Sequence, residues 1–199
     1  MAIKVSMFII MILAISCNFV SIINLFMESV VNKVAESGIV TLDLTQYLPD
    51  KNTLMGFDLK SFLFREMILR EKDFREALKV HDWQAYQAKH VYIYCSVDAI
   101  IPMWAHMLIA AYVQPVAASV FYGTQDEVQR HLLLQSIASL DLSEYTDKRI
   151  VIKGCADVHV PAEAYVAITA ALLPKVKSLM YGEPCSTVPV FKKKNEPSI

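Results

Sequence analysis

Three thiols and a few oxygen and nitrogen donors offer chemistry in this sequence: Cys95, Cys155 and Cys185, with Asp98 near the first and Asp157 and His159 near the second. Thiolates are soft ligands that suit zinc or an iron-sulfur centre, and Asp or His can complete such a shell. A thiol at a helix start can instead be ionised there and act as a nucleophile or persulfide carrier. Cys155 stands just before a helical pattern. No CxxC pair occurs, so the spacing is not a recognised metal motif. A Ser-His-Asp order, a Walker loop, GxGxxG and HExxH are also missing, which removes support for the common hydrolase, nucleotide and zincin readings. Each candidate has a structural use as well. An Asp shortly before a helix-starting Pro commonly bonds the turn's N–H groups, and a free Cys often packs as a small apolar group.

These residues fall in the connections of a repeated pattern. Val91 to Cys95 reads as a buried strand, Pro102 to Val113 as a helix opened by Pro, and Ala118 to Tyr122 as a strand closed by Gly123. The pattern returns after a shift of 59 residues: Asp98 aligns with Asp157, Pro102 with Pro161, Pro115 with Pro174, and Tyr122-Gly123 with Tyr181-Gly182. Turn and helix-start residues recur, and chance likeness between two apolar helices would not place them. The thiols are not copied, since Cys155 aligns with Ser96 and Cys95 with Gly154.

The expected fold is therefore α/β, a mostly parallel sheet with flanking helices built on a duplicated β-α-β unit at 91–123 and 150–182. A connecting helix at 125–138 is opened by Thr124. In one parallel sheet the loops leaving the strands' carboxyl ends share an edge, so all six candidate residues would meet there. Upstream, Ile39 to Leu44 alternates as a strand, Leu54 to Leu59 reads as its hairpin partner, and Phe62 to Val80 as a charged helix with Glu71–Arg75 ion pairs. Glu28 to Glu36 carries a short helical pattern. The loop 182–189 is stiffened by two prolines, and Lys192 to Lys194 is a solvated tail.

The 199 residues, 55% apolar and 20% charged, suit one globular domain over 27–194, with 195–199 as a tail. A net charge of −1 gives no drive toward nucleic acid, so no nucleic-acid partner is expected. Phe8 to Phe26 carries no ionised group and is close to the length that spans a bilayer. If residues 1–26 are retained, that leader anchors the chain to a membrane. If the working protein begins at Met27, it is cytoplasmic. Beyond Cys17 the cysteines are odd in number and unpaired in spacing, which favours a reducing compartment.

Several stretches, among them Val31-Asn32-Lys33-Val34-Ala35, Leu69 to Glu76, Cys95 to Pro102 with Trp104-Ala105, Ile152 to Cys155 and Gly182 to Pro189, carry a likeness. From Met27 to Lys194 the chain resembles an uncharacterised bacterial family, domain-of-unknown-function family 2480. The resemblance implies a start at Met27 and an association with iron-sulfur cluster assembly by the Suf system, whose proteins would be the partners. It carries no established catalytic or ligand residue. The expectation is an accessory factor in which Cys155 and Cys185, with Cys95, Asp98, Asp157 or His159, bind zinc or iron or hold sulfur. The alternatives are a small-molecule enzyme using a strand-end Asp/Cys site and a scaffold for a protein partner.

Overall fold

Short apolar strands alternate with helices in the computed structural model, which describes residues 38–153, 158–183 and 185–194. In chain order the elements are β1 (Ile39–Leu42), β2 (Leu54–Asp58), α1 (Glu71–Lys79), β3 (His90–Tyr94), α2 (Met103–Val113), β4 (Ser119–Tyr122), α3 (Gln125–Ala138), β5 (Arg149–Ile152), α4 (Ala162–Leu172), β6 (Ser178–Glu183) and β7 (Ser186–Lys192). The chain divides into two compact units, Met1–Ile39 and Val40–Ile199, and apart from the first residue of β1 these elements belong to the second. The pattern at 28–36 lies outside the described residues.

The α/β class holds, with parallel pairing of β2 to β3, β3 to β4 and β5 to β6. The two β-α-β stretches share a register: His90 faces Ser119 in the first, and Arg149 faces Ser178 in the second. Each helix buries the same three positions, Ala105, Ile109 and Val113 in α2 and Ala164, Ile168 and Leu172 in α4. Each such burial of a large aliphatic side chain contributes about 1.5–3 kcal/mol.

The strands form two sheets rather than one, in the orders β2-β3-β4 and β1-β5-β6-β7. This corrects two expectations. First, β4 and β5 are not in one sheet, because the free side of β5 is taken by β1, where Leu42 O accepts the Lys153 N–H at 2.9 Å. Second, β1 and β2 form no hairpin, since they go to different sheets. Each sheet has its own core: Phe57, Leu59, Phe74 and Leu78 pack with α2, whereas Leu42, Leu44, Leu133 and Ile137 pack with α4.

The helix expected over 62–80 is confined to Glu71–Lys79. Upstream, Arg65 and Glu66 take φ of 52° and 56°, left-handed values that end any helix, and Phe64 and Ile68 bridge across them. The expected Glu71–Arg75 pair is present at 2.9 Å. β7 was not anticipated. Its Pro189 cannot donate to a ladder, but β7 is the outer strand and its pairing with β6 shifts register at Leu179/Met180, where proline is tolerated.

Recurrent Asp-Leu steps fix the turns. Asp43 and Asp58 accept the N–H of Thr45 and Lys60, and Asp141 accepts that of Ser143, at 2.9–3.0 Å, while Leu44, Leu59 and Leu142 are buried beside them. The carboxylate satisfies a backbone donor left over at the start of a 3-10 turn, and the Leu anchors the turn in the core.

Candidate functional site

The carboxyl end of β6 runs into a tight connection to β7, in which Glu183 pairs with Ser186 and Cys185 occupies the turn. The hairpin holds the Cys185 thiol exposed to solvent. Gly182 just before it has φ of 122°, and a Cβ there would lie 2.5 Å from the Ser186 carbonyl oxygen, so the strands close to this distance only over glycine. Beside the turn, Glu183 Oε1 is buried with no hydrogen-bond partner among the described residues. A carboxylate oxygen withdrawn from water without a partner is costly and marks a place where an ion or water could complete it.

β5 lies next to β6 and runs parallel to it, so the chain leaves β5 at Lys153 on the same edge. Gly154-Cys155-Ala156-Asp157 follows in sequence. Cys155 and Asp157 lie outside the described residues. His159 lies on the far side of that stretch and lines a cavity of about 450 Å³ with Lys51, Asp126, Gln129 and Arg130. Arg130 donates to Glu163 at 3.2 Å. The Glu163 backbone N–H and this guanidinium hold the Glu163 carboxyl below its ordinary value.

Cys95 and Asp98 follow β3 and therefore belong to the other sheet. Cys95 is half-buried against that sheet's core. Asp98 is exposed on the wall of a groove with Met67, Ile68 and Ile100. The turn-capping role expected of Asp98 is performed there by Asp58, which accepts the Ser96 N–H at 3.0 Å. The four strand-end loops thus do not share one edge: Cys95 and Asp98 stand on one sheet, and Cys185 and His159 on the other. Among the described residues no group of three His, Cys, Asp or Glu side chains is placed to hold a metal ion.

The six candidates read from the sequence did not include Glu183, Lys51 or Arg130. Lys51 follows Asp50 in a turn far upstream, and only the pairing of β1 with β5 brings that region to the second sheet. Nothing in the sequence marks it. The recurrent Asp-Leu step was a visible signal for Asp43 and Asp58.

Among the described residues no helix is long and apolar enough to cross a membrane. Neither a curated protein nor a solved structure matches the chain. The family model described as "Protein of unknown function (DUF2480)" matches residues 28–193. A match over that length, which takes in most of the chain, makes this protein a member of the DUF2480 family.

Proposed function

We propose that the protein is an accessory factor of iron-sulfur cluster assembly that takes a thiophilic metal ion, or holds sulfur, at the β5/β6 edge of the second sheet. The observation that carries this reading is a buried and unpartnered carboxylate oxygen, Glu183 Oε1, two positions along the chain from an exposed thiol, Cys185. A bound cation would satisfy that oxygen, and a thiolate is the ligand type that selects zinc or iron over magnesium or calcium. Cys155 and Asp157, next in sequence after the adjacent parallel strand β5, are residue types that suit such a ligand shell. The place in iron-sulfur assembly rests on the family resemblance.

The test is elemental analysis with an absorption spectrum on the full chain purified without oxygen, beside a Cys155→Ser, Cys185→Ser variant. Stoichiometric zinc or iron that the variant loses supports the reading. Metal-free parent protein with no thiol-bound sulfur releasable by reductant overturns it.

A second reading is favoured by the cavity beside His159. Its volume suits a small molecule, and it lies at the strand-end edge where parallel sheets commonly bind ligands. Lys51, Arg130 and His159 would meet an anionic group there. Enzymatic turnover abolished by His159→Ala and retained in the double Cys variant would favour this reading over the first.

A further inference from the structure

We propose that the amino-terminal edge of the second sheet binds a small amphiphilic phosphate, a doubly charged head on a flat apolar body. The site is a cavity of about 500 Å³ at the Ser178 end of β6, away from Cys185, and it stands independently of the metal reading. Four cationic side chains line it, Arg149, Lys177, Lys192 and Lys193, and no acidic side chain does. Met180, Pro189 and Phe191 supply the apolar part of the lining.

The backbone sets these like charges side by side. Ser178 pairs with Arg149 on one side and with Lys192 on the other, and the Lys193 N–H donates to the Lys177 carbonyl at 3.0 Å. Like charges held on neighbouring strands oppose folding. All four side chains are exposed, and among the described residues only Lys193 has a carboxylate in ion-pair range, Asp147 at 3.8 Å. The whole chain has a net charge of −1, so this concentration of positive charge is local. A cleft lined by one sign of charge focuses the field and draws in ligands of the other sign.

Neither the charge nor the cavity belongs to the shared β-α-β frame. Where the second unit has Arg149 and Lys177, the first has His90 and Ala118. The first sheet also ends at β4, whereas the second adds β7. Lys192, expected in a solvated tail, is the last residue of that strand. The pairing of β7 with β6 passes from Leu179–Phe191 to Met180–Pro189 and leaves Val190 over. An extra residue of this kind is a bulge, which re-aims side chains and recurs beside functional sites. Here it falls at the apolar part of the cavity.

The lining sets the ligand class. Lysine and arginine offer only donors and positive charge, so the head is an anionic acceptor, and several cations around one cavity match a doubly charged phosphate. Met180 and Phe191 are half-buried, leaving apolar surface that a bare ion would not cover and a flat ring would. The volume lies in the range of small-molecule sites.

The test is a titration of the full chain with 1-naphthyl phosphate, followed by amide NMR shifts, with inorganic phosphate and 1-naphthol as the head and the body alone. The aryl phosphate should bind with a dissociation constant of about 1 mM or tighter and shift Ser178 and Lys192, and each half should bind at least about tenfold more weakly. Arg149→Gln, Lys192→Gln should weaken binding by about tenfold or more. Lys72→Gln, Lys79→Gln on α1 removes the same charge elsewhere and should not. Inorganic phosphate binding as tightly as the aryl phosphate would reduce the site to a cationic patch and overturn the proposal. Three other results would also overturn it: aryl phosphate binding that does not saturate, equal weakening by the two double variants, or capture by phosphatidylglycerol vesicles without binding of the aryl phosphate.

Discussion

Asp58 accepts the backbone N–H of Ser96 at 3.0 Å while also accepting that of Lys60 at 2.9 Å, so one carboxylate ties the turn after β2 to the turn after β3. Asp43 occupies the corresponding place after β1, bonding Thr45 and reaching Lys153 at 3.1 Å beyond β5. Each half of the molecule thus closes its strand ends with an aspartate from the strand beside the β-α-β unit.

The two aspartates predict acid sensitivity. Burial works against ionisation of Asp58, but hydrogen bonds from Ser96 and Lys60 outweigh it and hold the carboxyl below its ordinary value. For Asp43 the hydrogen bond from the Thr45 hydroxyl leads, and the result is again a lowered carboxyl. A depressed folded-state pKa contributes stability that is present above the unfolded value of 3.8 and is lost as pH falls through the folded one. The urea midpoint should therefore drop as pH is lowered through about 4. In an Asp43→Asn, Asp58→Asn variant that drop should shrink, and stability at pH 7 should be lower by about 1–3 kcal/mol.

His81 predicts a second pH response, in a higher window. Burial among Phe57, Phe62, Trp83 and Tyr86 lowers its pKa, with Asp82 acting against the shift. The unfolded chain then binds the proton more readily, so stability is full above the ordinary value of 6.5 and falls as pH drops below it. An NMR titration should place the His81 midpoint below 6.5, and His81→Leu should reduce the slope of stability between pH 7 and 5. His106, also lowered by burial, should supply a slope that remains in that variant.

Gly182→Ala should cost more than Gly123→Ala. Both glycines have left-handed φ, 122° and 129°, but a Cβ at 182 meets the Ser186 carbonyl, whereas one at 123 meets the flexible end of Glu127. We expect a loss of about 2–3 kcal/mol at 182 and about 1–2 kcal/mol at 123, read as shifts in the urea midpoint. The loss at 123 has a second source. Moving Glu127 disturbs the reciprocal cap with Thr124 that opens α3, so Thr124→Ala and Gly123→Ala should be less than additive.

Thiol accessibility separates the two described cysteines. Cys185 is exposed at a hairpin turn and Cys95 is packed against the first core. In the native protein, peptide mapping after brief iodoacetamide treatment should show Cys185 modified well before Cys95, and denaturant should remove the difference. Equal rates in the native state would mean that the hairpin does not hold Cys185 in solvent.

The local pattern was legible where a segment's neighbours are its own sequence neighbours. Helices form at 103–113 and 162–172, where the sequence pattern placed them, and Thr124 capped α3 as its type predicts. What stayed hidden was partner choice. A short strand such as Ile39–Leu42 reads the same whether it pairs with its neighbour or with β5, because the deciding contacts come from residues more than a hundred positions away. That one pairing divided the expected single edge in two, and with it the six candidate residues. β7 was obscured for a different reason: Pro189 argues against a strand everywhere except at an edge or a register shift, and its position is both.

The junction of β1 with β5 also sets an order of events during synthesis. The ion pair between Asp43 and Lys153 spans 110 positions, so β1 leaves the ribosome long before its partner strand exists. In the interval β2, β3 and β4 are complete and contiguous, free to collapse on their own core. The second sheet must wait for the polymer loop to close, an entropic cost that slows folding through distant contacts. The first three-stranded half should thus be the early folding unit, with the last step the return of a waiting N-terminal strand to a sheet made at the other end of the chain.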